Sequence, residues 1–313
     1  MSPSATAADQ DQDRDRGRDR DRLAELDRIG LRWSERGSAA LTGPLLELAD
    51  RLDRALLHLA ARWDAVPEEH PALLAAEDLE PVAYLSSFPQ LATFAVSLST
   101  EGDDLESFAG TAQKDTAAAL SRGRLTTPRD VLTPAACYHV YAHHRGRELT
   151  APLRVTTRNT CFRREDHFTP LRRQWSFRMR EIVCLGTPEE VTPFLDGART
   201  AVDGLLAALD LTVRWAPATD PFFNPAANPQ YLMQKLHPTK YEACYGDLAI
   251  ASVNLHQDHF GGAYAITRDG RPVTSGCVAF GIERWLYAVL DRWGTDPAAW
   301  PDPLAAVDGD TLR

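Results

Sequence analysis

The chain has 313 residues, 44% of them hydrophobic, with a formal net charge of −10 at pH 7 and five cysteines. That length suits one large catalytic domain or two small ones, and the acidic balance argues against broad, nonspecific nucleic-acid binding. No apolar run is long enough to span a bilayer, no basic-then-apolar leader opens the chain, and the odd, scattered cysteines fit a reducing compartment. A cytoplasmic protein without a membrane segment is therefore expected.

Taken in chain order, the first distinctive stretch is DQDQDRDRGRDRDR, Asp9 to Arg22, which alternates acid and base without an apolar residue. Such a segment cannot bury enough surface to order itself, so residues 1–22 are expected to be a disordered tail and 23–313 a folded domain. From Pro44 to Trp63, Leu45, Leu48, Leu52, Leu56, Leu59 and Trp63 fall on one helical stripe, with Pro44 in the first turn. HPALL begins an extended piece at Pro71. The stretches LTPAACYHVYAHH, LRVTTRNTCFRRE, WSFRMREIVCLG, YEACYGDLAIASVNLHQ and GGAYAITRDGRPVTSGCVAFG read as strands, with Asp269-Gly270 suited to a hairpin turn. A second helix is predicted from Glu189 to Leu211, ahead of the Pro- and Asn-rich DPFFNPAANPQYL. Strand pairs separated by helices imply an α+β fold, an antiparallel β-sheet flanked by helices. There is no glycine-rich phosphate loop of either common type.

Chemistry concentrates in three places. PLRRQWSFRMRE, Pro170 to Glu181, gathers four arginines among aromatics, a pattern that serves a nucleic acid or, on a smaller scale, a nucleotide triphosphate. Strand alternation places Arg163 and Glu165 on one face, and Phe177, Met179 and Glu181 likewise, so that one face of the hairpin holds a guanidinium, two carboxylates and an aromatic ring. This reads either as a solvated polar face with a cross-strand ion pair or as a nucleotide site, where an arginine holds phosphate, a carboxylate accepts from an exocyclic amine and a ring stacks on the base. The third place, SGCVAFGIERWLYAVL, runs from small residues through Cys277 and the pair Glu283-Arg284 into an amphipathic helix. In HQDHFG the alternation puts His256 and Asp258 on one face and His259 on the other, which disfavours a second metal site. His143 and His144 are expected near an exposed strand end.

FRRE…FRMRE resembles motif 2 of the class II aminoacyl-tRNA synthetases, GCVAFGIER resembles motif 3, and the leucine-striped helix followed by Pro71 resembles motif 1. With LTPAACY, DPFF and the HQDHFG stretch, the chain is most similar, over roughly residues 25–300, to the seryl-tRNA-synthetase-like amino acid:carrier-protein ligases. The resemblance implies a class II catalytic domain without a tRNA-binding arm and a homodimer braced through the motif 1 stripe. The implied reaction is ATP-dependent formation of an aminoacyl-adenylate, followed by transfer to the phosphopantetheine thiol of an acyl or peptidyl carrier protein. The implied substrate is a small amino acid, glycine or alanine.

By the same resemblance Arg163 grips the α-phosphate, Glu165 binds the adenine amine, Phe177 stacks on adenine, and Arg284 clamps ATP with Glu283 orienting it. One Zn2+ per chain is held by Cys137, Glu181 and Cys277, with a fourth position open for the substrate amine. Taken alone, each of these cysteines reads as core packing, as Cys161, Cys184 and Cys244 still do. Lys240, Glu242 and Asn254 match family positions on central strands that line the pocket or hold Mg2+ with ATP. Carrier docking is expected near 220–245. The motif 2 loop, EDHFTPLRRQ, departs from the family's EPSxDPxRMQ and is one residue longer, with Arg173-Gln174 in place to keep its nucleotide contacts. Two other readings stay open: aminoacylation of tRNA, disfavoured by the absent arm and the acidic charge, and a non-catalytic adenylate-binding paralogue.

Overall fold

The leucines of the first long helix decide where the core lies. In the computed structural model, which describes residues 21–227 and 229–308, helix α1 spans Gly43–Ala61. Leu45, Leu48, Leu52, Leu56 and Leu59 are all at most 3% exposed. They pack within the chain's own core, beside helices α3 (Pro188–Ala208) and α6 (Ile282–Trp293). The stripe expected to meet a twofold mate is thus spent inside the chain. The expected tail, residues 1–22, falls outside the described residues apart from Asp21 and Arg22, which are helical.

The sheet that α1 covers is built from β1 (Val66–Glu69), β2 (Leu153–Phe162), β3 (Ser176–Gly186), β4 (Arg214–Pro217), β5 (Lys240–Tyr245), β6 (Leu248–Gln257) and β7 (Thr274–Gly281). Their order is β4-β5-β6-β7-β3-β2-β1. Every neighbouring pair is antiparallel except β1 with β2, so the sheet is mixed by one edge strand. Period-2 alternation divides the residues of the central strands. Ile182 and Cys184 of β3 and Val278 and Phe280 of β7 join the core under the helices, while Glu181 and Cys277 turn to the other face. Gly276 is needed where α3 presses on β7: a Cβ there would lie 2.8 Å from the Leu195 side chain and 2.9 Å from the Asn254 carbonyl oxygen.

The opposite face carries a second apolar cluster around Tyr84, Val140, Tyr141, Phe260 and Tyr264. Here the strand pattern misleads. In LTPAACYHVYAHH only the first residue, Leu132, is extended, as the end of the strand Asp130–Leu132, and Tyr138–His143 forms helix α2. Cys137 stands at its N-cap, and Val140 and Tyr141 are buried where one helical turn meets the sheet. GGAYAITRDGRPVTSGCVAFG likewise begins inside a helix, α5 (His259–Ala263), before the hairpin that Asp269-Gly270 turns. His144 is not at an exposed strand end. It is buried after α2, with its Nε2 2.9 Å from Glu68 Oε1.

Candidate active site

Two adjoining cavities open on the sheet face opposite α1, α3 and α6. The smaller, about 110 Å³, is lined by Glu165, Phe177, Glu242, Glu283 and Arg284 among others; the larger, about 470 Å³, contains Cys137, Glu181, Asn254 and Cys277. Arg163, Met179, Lys240, Ser252 and Ala279 line both. Phe177, Met179 and Glu181 sit at alternate positions of β3, so each step along that face is about 7 Å. One strand therefore carries the site from a ring-lined pocket, past Arg163, to an acidic floor.

Strand β2 ends at Phe162, one residue short of Arg163, so the Arg163–Glu165 alternation expected of a strand does not apply. Both side chains reach the same cavity from a loop instead. Arg163 Nε donates to the Pro134 carbonyl at 2.9 Å, and its guanidinium carbon lies 5.4 Å from the Phe177 ring centre. Glu165 pairs with Arg173. Arg284 is fixed by two backbone carbonyls, Arg172 at 3.0 Å from Nε and Ala249 at 2.9 Å from Nη1. Glu283 does not orient Arg284. Its oxygens accept from the Arg178 backbone N–H at 2.8 Å and the Arg178 Nε at 3.0 Å, which pins β3 to the start of α6. In the motif 2 loop Gln174 holds the backbone, accepting from Leu171 N and donating to the Ser176 carbonyl, while Arg173 lines the cavity.

At the floor, Cys137, Glu181 and Cys277 are all buried, and one ligand atom from each lies within 4.8 Å of the others. Glu181 Oε1 is committed, accepting from the N–H groups of Ala136 at 2.9 Å and Cys137 at 3.2 Å. Hydrogen bonding to Cys277, burial and the neighbouring Glu181 push the Cys137 thiol well above its usual range. For Cys277 the hydrogen bond to Cys137 lowers the value, but burial and Glu181 raise it overall. Two buried thiols and a carboxylate repel one another as anions. A shared cation removes that conflict, and two sulfurs with one oxygen suit Zn2+ better than Mg2+. The donor set fits zinc.

Lys240 and Glu242 project from β5 and Asn254 from β6, with Lys240 directly opposite Asn254. Lys240 Nζ lies 2.9 Å from Asp220 Oδ1 and 3.2 Å from Glu242 Oε1. Asp220 and Gln234 were not singled out by residue, although DPFF contains the former. Gln234 Oε1 accepts from Asp220 N and its Nε2 donates to Asp220 Oδ2, both at 3.0 Å, which ties helix α4 (Pro229–Leu236) to the cavity wall. A lone Asp and Gln fourteen positions apart give no local signal. His256, half-buried at the floor, is held neutral by desolvation, which lowers it to about 4.

No protein-family profile matches the chain. Amino acid–acyl-carrier-protein ligase 1 of Bradyrhizobium diazoefficiens is 36% identical over 252 residues, which cover 76% of this chain and 75% of the relative. The chain belongs to the amino acid–acyl-carrier-protein ligases. Ligase 2 of the same organism is 32% identical over 85% of this chain and 82% of its own length. Among solved structures, Methanopyrus kandleri seryl-tRNA synthetase, in complex with Aquifex tRNASec (A. aeolicus), superposes with a TM-score of 0.75 at 21% identity. That match covers 88% of this chain and 57% of the synthetase chain, and it shows the class II catalytic fold. Within this ligase family fold, the motif 2, motif 3 and Cys-Glu-Cys positions converge on one continuous pair of cavities.

Proposed function

We propose that this chain activates a small amino acid with ATP and passes the aminoacyl group to the phosphopantetheine thiol of an acyl carrier protein. The observation that carries the reading is Arg163, which lines both the ring-and-arginine cavity and the cavity floored by Cys137, Glu181 and Cys277. Phe177 and Glu165 would receive adenine, and Arg284 the phosphate tail. An amino-acid carboxylate oxygen attacking the α-phosphorus forms a P–O bond and releases pyrophosphate, and Arg163 is placed to stabilise the charge that builds there. Held by Cys137, Glu181 and Cys277, Zn2+ would supply a Lewis-acidic position for the unprotonated substrate amine. The carrier thiol then attacks the acyl carbonyl, and AMP leaves.

Further expectations belong to this reading. Mg2+ accompanies ATP. Glycine or alanine is the substrate by family resemblance, the carrier docks near 220–245, and the protein works in the cytoplasm. Among the described residues no helix is long and apolar enough to cross a membrane. A homodimer would use exposed apolar side chains around the small sheet of Leu73–Ala75, Phe94–Ala95 and Asp130–Leu132, including Leu73 and Phe94, rather than the α1 stripe. Amino-acid-dependent exchange of labelled pyrophosphate into ATP, run across all common amino acids, tests the activation step. Exchange with one or two small amino acids supports it. No exchange with any of them would leave a non-catalytic adenylate-binding protein.

A further inference from the structure

The fold treats the two candidate cysteine ligands differently. Cys137 has acidic neighbours, Cys277 and Glu181. Cys277, on β7, pairs directly with Asn254 of β6, and Asn254 Nδ2 donates to Cys277 Sγ at 3.3 Å. The register then slips between Leu255 and Gln257, leaving His256 as the extra residue of a β-bulge. The bulge brings the His256 ring to the same sulfur, with Nε2 3.8 Å from Sγ. The other ring nitrogen is already served: Tyr141 Oη lies 3.1 Å and Ser275 Oγ 3.3 Å from Nδ1. A metal-bound thiolate has no proton to give, so both nitrogens that face it act as donors, and a hydroxyl donates to Nδ1.

We propose that Asn254 and His256 are positioning residues that direct two N–H···S hydrogen bonds at Cys277 and so set how strongly this thiolate donates to the bound cation. The inference rests on reading Cys137, Glu181 and Cys277 as a metal site. Each hydrogen bond draws charge from sulfur. The ion keeps more of its Lewis acidity for the open fourth position, and the sulfur is held in register with Glu181. Asn254 thereby acts through the ligand rather than on substrate, and His256 gains a role without ligating the ion.

The test replaces the native ion with Co2+ and reads the sulfur-to-cobalt charge-transfer absorption of the whole chain. In Asn254→Leu and in His256→Phe the band should move to lower energy, because sulfur lone pairs rise when a hydrogen bond is lost. In His256→Gln, which keeps an N–H, it should stay near the wild-type position. Competition with a chromophoric chelator should show zinc held about 10–100-fold more weakly by the first two variants, because the sulfur loses the contacts that hold it in register with Glu181. Circular dichroism and ATP binding establish that each variant is folded, and Asn254→Asp removes the donor with the shape kept should the leucine variant not fold. Folded variants with unmoved bands and unchanged zinc affinity would overturn the inference. A wild-type protein that takes up Co2+ with no charge-transfer band would instead remove the metal reading itself, and this inference with it.

Discussion

Single side chains supply the sharpest tests. Cys277→Ala removes one proposed ligand while changing core volume little. Metal content should fall from about one ion per chain and amino-acid activation should collapse by orders of magnitude, with ATP binding retained through Arg163, Phe177 and Arg284. Elemental analysis beside pyrophosphate exchange checks this. A cysteine that only packs predicts normal exchange and slightly lower stability. Arg163→Lys should cut exchange about 100-fold or more, since a point charge replaces a planar donor fork, and should leave metal content unchanged. Glu68 offers a pH test. Burial would raise its carboxyl, but hydrogen bonds from His144 and His70 outweigh this and lower it to about 2. A depressed folded value means stability that is present above the ordinary value near 4.5 and lost as pH falls toward 2. Glu68→Gln should therefore destabilise the protein at pH 7, with the difference from wild type shrinking between pH 4.5 and 2 in urea titrations.

At the scale of elements, the buried ion pair between α1 and β3 is the structural pin beside the site. Arg180 Nε and Nη2 donate to Asp53 at 2.6 and 2.9 Å, and Arg180 Nη1 donates to Thr156 at 3.1 Å. Asp53→Ala strands the buried Arg180 guanidinium and should cost about 3–5 kcal/mol of unfolding free energy, measured by denaturant titration. The double variant Asp53→Leu, Arg180→Met should recover much of that loss. The elements best legible in sequence were those with long periodic patterns: the α1 stripe, the α3 helix, and β2 and β3. Short elements were not. Tyr138–His143 is only one or two helical turns, and Val140-Tyr141 satisfies a strand pattern as well as a helical one until the packing is known. Arg163 and Glu165 were found by motif although their strand geometry was wrong, because the loop delivers them to the same cavity. Spacing could not reveal the Cys137–Glu181–Cys277 cluster, whose members come from a helix cap and two strands; only the family resemblance pointed there. The Glu283–Arg178 bond was missed because adjacency to Arg284 in sequence hid a partner across the sheet.

For the whole molecule, the leucines of α1 are consumed internally, so any dimer must use other surfaces. Light scattering at working concentration should give about twice the 34.6 kDa chain mass, and Leu73→Arg should reduce it to the monomer value. A wild-type monomer with full activity would defeat the dimer expectation. Deleting residues 1–22 should leave activation unchanged, which exchange assays on the shortened chain check. The central claim concerns where the activated acyl group goes. Labelled amino acid, ATP and the enzyme should be incubated with an acyl carrier protein in its phosphopantetheinylated and unmodified forms, and separately with tRNA. The account predicts label on the phosphopantetheinylated carrier alone, released by hydroxylamine as a thioester is; label on tRNA, with none on either carrier, would contradict it.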